Sequence, residues 1–161
     1  MEKKSDLETL KENYEEFREK YQLAEFEELN ADFNIEKISS AETDFLVREI
    51  RKFIADKFSG YLRFIENLLN PIDGSMFIFT IIKTLGQEEK KKLSEIYKRL
   101  AQSEIKIIEL DIDFQEEKEA EFIRESHLIW KNIKKDLLEI IKVVKNNWDV
   151  KIESNGKNYF G

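Results

Sequence analysis

Ile105-Lys106-Ile107-Ile108-Glu109-Leu110-Asp111-Ile112-Asp113-Phe114 is the stretch on which the fold class turns. Ile108, Leu110, Ile112 and Phe114 alternate with Glu109, Asp111 and Asp113, the period of two that a half-exposed strand would show. A strand needs a neighbour to satisfy its backbone groups, and the candidate for one is the C-terminal segment from Val150, where Asn155-Gly156 separates short apolar-bearing runs. The segments on either side keep helical spacing, so helix is the more consistent reading of 105–114. The expectation is an all-α chain, a single compact bundle of five or six helices.

Downstream, Asp113 and Glu116 stand at capping-box spacing and open a predicted helix over 115–148. Residues 150–161 then form either a small hairpin or a loose tail, leaving 1–149 as the helical domain. Upstream, Leu93, Ile96, Tyr97 and Leu100 predict a helix from Gln87 to about Ser103. Ser75 is placed to cap a short apolar helix that stops at Gly86, after the turn Pro71-Ile72-Asp73-Gly74. Ser39 with Glu42 repeats the cap spacing before a long helix over 42–69, ended by Asn70-Pro71. Near the start, Ser5 with Glu8 leads into Leu7, Leu10, Tyr14, Phe17 and Tyr21, alternately three and four apart, which predicts a helix over 6–29. Asn30 to Ser40 loses the period and reads as an irregular connection. The seam on Leu7 to Tyr21 is too short for a free-standing coiled coil, although it offers a face for self-association.

Composition narrows the chemistry. The 161 residues hold no Cys, 1 His, 12 Phe and a net charge of −7. Without Cys there is no disulfide framework or thiolate metal site, and a cytoplasmic setting is expected. The two lysines behind Met1 and Glu2 lead into a charged segment with no apolar signal-type stretch, so export by that route is not expected. The most apolar window, Met76 to Ile82, is far below the roughly 20 residues a membrane span needs.

Motifs of chemistry are weak. No phosphate-cradling glycine loop and no nucleophile elbow occurs. Asp111-Ile112-Asp113 resembles the start of a calcium loop but has Glu116 at the sixth position and Phe122 at the twelfth. His127 follows Ser126, yet adjacent helix positions point about 100° apart and make no nucleophile–base pair. No catalytic residue, metal site or cofactor is expected.

Two basic rows remain. On the last helix, Lys131, Lys134, Lys135, Lys142 and Lys145 fall in one sector with His127, beside the core face of Trp130, Ile133 and Ile140. A solvated or internally paired rim is the plain reading of such lysines. On the 42–69 helix, Arg48, Arg51, Lys52 and Arg63 point one way, and arginine forks there suit phosphates, carboxylates or the chain's own acids. Residues 104–125 hold nine acids against three bases, so internal neutralisation is the favoured reading of this row.

Along the chain the charge runs −6 over 1–40, zero over 41–86, −4 over 87–129 and +3 over 130–161. An acidic chain of this kind is a poor general nucleic-acid binder. The leading expectation is therefore a non-catalytic protein acting through protein–protein interaction, with an unknown protein as partner. The alternative is a helical factor docking on RNA or a ribonucleoprotein through the basic rows. A small enzyme using buried carboxylates ranks third. Aromatic and apolar residues off the helical stripes, namely Phe33, Met76, Phe77, Tyr159 and Phe160, are either lids on the core or anchors for a partner.

Overall fold

A computed structural model describes residues 5–38 and 45–157. Among them are six α-helices, one 3-10 turn and no strand: α1 (Asp6–Tyr21), α2 (Phe26–Phe33), the 3-10 turn Ile35–Lys37, α3 (Leu46–Leu69), α4 (Met76–Thr84), α5 (Gln87–Ile112) and α6 (Glu116–Lys157). The chain is all-α.

Residues 105–112 are helical, the last two turns of α5, because Ile107 and Leu110 point into a core while the other apolar residues face water. The alternation was a coincidence of Ile and Asp positions, and helical packing overrode it. Residues 150–157, where a hairpin or loose tail was expected, continue α6. The tail aromatics Tyr159 and Phe160, and the Ser39–Glu42 cap, lie outside the described residues.

The helix expected over 6–29 is two helices. α1 starts as its sequence predicts, with Ser5 Oγ accepting from the Glu8 N–H at 3.3 Å and the Glu8 carboxylate accepting from the Ser5 N–H at 3.0 Å. It stops at Gln22, which is left-handed at φ 56° although neither Gly nor Pro marks the place. The break is held from within. The fully buried Tyr14 hydroxyl donates at 2.5 Å to the Ala24 carbonyl that the break sets free, and Arg18 reaches Glu15 at 2.5 Å and Glu25 at 3.3 Å. Asn34, left-handed at φ 55°, ends α2 in the same way. The connection expected over 30–40 thus contains the end of α2 and the 3-10 turn, and Phe33, Ile35 and Ile38 are buried, so Phe33 is a lid on the core.

Two compact units divide these helices. The first takes the described residues up to Ser59 together with Gln102–Ile129, and the second takes Gly60–Ala101 and the residues from Trp130 onward. α3, α5 and α6 each supply a segment to both. In the first unit Phe58 is the hub, with ring centroids 6.4 Å from Phe33 and 6.5 Å from Phe122, among buried Leu10, Leu29, Ile54 and Ile123. In the second, Trp130 packs 5.2 Å from Tyr61, among buried Ile65, Leu93, Ile96, Ile133 and Ile140. Ser75 Oγ accepts from the Ile78 N–H at 3.3 Å and caps α4, as its position predicts.

Candidate interaction surfaces

The arginine row on α3 does not form one surface. Arg51 is 1% exposed: its Nε donates at 2.6 Å to Glu119, itself 0% exposed, and its Nη1 lies 2.8 Å from Asp111. Burial opposes the guanidinium charge, but the two carboxylates outweigh it and raise its pKa above the ordinary value. Arg51 is thus spent on internal neutralisation within the first unit. Arg48 is half-buried and stacks 5.5 Å over the Phe114 ring, with its Nε buried and lacking a hydrogen-bond partner. Lys52 is exposed and meets Glu49 at 3.3 Å, while Arg63 is exposed on the second unit. Ala55, inside the row, is buried.

The lysine row fares differently. Lys131, Lys134, Lys135, Lys142 and Lys145 are all exposed, on the second unit. His127, grouped with them on the helical wheel, belongs to the first unit and is buried, its Nε2 3.3 Å from a Glu28 carboxylate oxygen. The lysines therefore make a surface without it.

Apolar residues supply what the charge pattern missed. Ile72, Met76, Phe77 and Phe79, within eight consecutive residues at the turn before α4 and along its first turn, are 78%, 86%, 60% and 42% exposed. Ile81 and Thr84 are the buried residues of that helix, and Phe77 leans on Trp148 at 6.0 Å between ring centroids. On the first unit, α5 turns Ile105, Ile108 and Ile112 to solvent. Met76 and Phe77 stand out in the sequence as aromatic and apolar residues off the helical stripes; the isoleucines of α5 carry no such signal, because their alternation with acids resembles a strand.

Cavities are small. A groove of about 180 Å³ between α5 and α6 is lined by Lys106, Glu109, Lys118, Glu121 and Glu125 over Leu110 and Phe122, and an apolar one of about 130 Å³ lies by Phe17, Phe45 and Phe114. Pockets for small ligands usually measure about 300 Å³ or more. In the larger groove, Lys106 pairs with Glu125 and Lys118 with Glu109 at 3.3 Å, so both of its lysines and two of its three glutamates are paired within it. The fully buried carboxylate, Glu119, is held by Arg51. Among the described residues no group of three or more His, Asp or Glu is placed to hold a metal ion, and no helix is long and apolar enough to cross a membrane.

Comparison with protein families, with characterised proteins and with solved structures finds no match to this chain.

Proposed function

We infer that the protein acts through protein–protein interaction, with the turn before α4 and the first turn of α4 as its contact surface. One observation carries this reading: four large apolar side chains, Ile72, Met76, Phe77 and Phe79, are exposed within eight residues of a helix start. Scattered exposed apolar residues are ordinary, but a cluster that includes Met and Phe is the composition of an interface core. Ser75 caps the helix and Phe77 rests on Trp148, so the cluster is presented on a formed element that need not be ordered on binding. The small size of the two described grooves favours contact over catalysis. A cytoplasmic setting accords with a chain that contains no Cys.

Docking on RNA or a ribonucleoprotein is the second reading, supported by the five exposed lysines of α6 and weakened by the internal use of Arg51. Both are tested by capture from the native host's extract with the wild type, an Ile72→Ser/Met76→Ser variant and a Lys131→Glu/Lys135→Glu variant, each with and without nuclease. The expected outcome is loss of the captured proteins with the α4 variant, regardless of nuclease. Capture that survives the α4 variant but falls with nuclease and with the lysine variant would favour RNA and overturn the protein-contact reading.

A further inference from the structure

Leu138 lies at the centre of the solvent face of α6. Lys134 and Lys142 are one turn away on either side, Lys135 and Ile141 are three residues away, and Lys131 and Lys145 are two turns away, all on one sector of the helix. Leu138 is 62% exposed, Ile141 is 41% exposed, and the five lysines are exposed. The intervening acid Glu139 is turned to Lys92 at 2.7 Å, and that hydrogen bond holds its carboxyl below the ordinary range. This face is an aliphatic centre inside a basic frame.

The first unit carries its counterpart. Ile105, Ile108 and Ile112 stand at i, i+3 and i+7 of α5, 68%, 53% and 82% exposed, with Glu109 on the same face. That spacing forms a ridge of the kind one helix lays against another. The acids exposed beside it are Glu109, Asp111 and Asp113, of which Glu109 also meets Lys118 and Asp111 also meets Arg51, in a stretch, 104–125, whose nine acids outnumber its three bases. The two units as wholes are opposed as well: among described residues the first holds 11 basic and 22 acidic residues, net −11, and the second 14 basic and 9 acidic, net +5.

The geometry points to self-association in which the acidic Ile105–Ile112 ridge of one copy seats on the basic Leu138–Ile141 face of a second copy. Charge complementarity selects this occupant, because the two matching surfaces are carried by every molecule of the protein. The aliphatic centres favour a helix over a nucleic acid, which would be met by aromatic stacking or by arginine forks. The contact is independent of the α4 surface. Strips of this length bury less than the roughly 1,200 Å² of a stable complex, so association is weak and concentration-dependent. It closes as a two-fold pair if both strips engage at once and extends otherwise, and either raises the mass.

Sedimentation equilibrium of the full chain over a wide concentration range tests it. The mass is expected to climb from 19.3 kDa toward at least twice that value, and less steeply at high salt. A Lys135→Glu/Lys142→Glu variant and an Ile108→Lys/Ile112→Lys variant, each with wild-type helix content by circular dichroism, should both stay at 19.3 kDa alone. An equal mixture should associate again, because the unchanged acidic ridge of the first can seat on the unchanged basic α6 face of the second. A wild type that stays monomeric at every concentration overturns the proposal. So does association that persists in both variants, or that fails to return in the mixture. Association lost in the Ile72→Ser/Met76→Ser variant but kept in the other two would place the self-contact on α4, against this inference.

Discussion

Arg51 shares a helical row with Arg48 and Lys52, yet its environment separates it from both. A buried guanidinium is tolerable because Glu119 and Asp111 supply two carboxylates within hydrogen-bond distance, and removing one partner leaves the other charge stranded. Glu119→Gln or Arg51→Met should each cost about 3 kcal/mol or more of unfolding free energy, whereas Arg51→Met combined with Glu119→Leu should recover much of the loss. Urea unfolding of the three variants measures this; equal losses in the double and single variants would contradict it. Tyr14 gives the pH-dependent counterpart. Burial, its leading influence, pushes its phenol above the ordinary 10.0, so folding favours the protonated ring. Its contribution is fully present below pH 10.0, the unfolded value, and is lost as pH rises through the higher folded value. Tyr14→Phe should cost about 1 kcal/mol at neutral pH through the lost bond to Ala24, and should flatten the fall in stability above pH 10.0.

At the scale of elements, capping chemistry and Pro punctuation were legible where a local side chain does the work. Ser5–Glu8, Ser75 and Asn70–Pro71 mark ends that the structure places within a residue or so of expectation. The break between α1 and α2 was not legible, because Gln22 adopts a left-handed backbone for the sake of contacts made by Tyr14 and Arg18. Such a backbone costs a non-glycine residue about 1 kcal/mol or more. Gln22→Gly should therefore stabilise the protein by up to about 1 kcal/mol, read as a higher urea midpoint at unchanged slope. A destabilised variant would mean that the Gln22 side chain contributes more than its strain costs. Of the α1 seam, Leu10 and Tyr14 are buried in the first unit, whereas Leu7 is exposed and Phe17 and Tyr21 are half-buried.

For the whole molecule, the division into two units regroups charge that looked only mildly uneven along the chain. Segments far apart in sequence, the α1–α2 region and residues 102–129, share the net −11 unit, and self-repulsion there opposes folding. Raising ionic strength from about 0.01 to 0.15 M shortens the Debye length from about 30 to 8 Å, and should raise Tm at neutral pH by about 2–4 °C for each kcal/mol of repulsion relieved. A fall in Tm would show that the ion pairs outweigh the repulsion. By itself the sequence determined the all-α class, most helix positions, the Ser5–Glu8 and Ser75 caps and the lysine row, because these depend on spacing along one chain segment and on side chains bonding their own neighbours. Only the tertiary structure decided that Arg51 and His127 turn inward, that the 105–112 segment of α5 turns an isoleucine ridge to solvent, and that Met76 and Phe77 stay outside the core. Each of these depends on what a distant segment, such as Glu119, Glu28 or Trp148, places opposite the side chain, and periodicity within one helix carries no record of that.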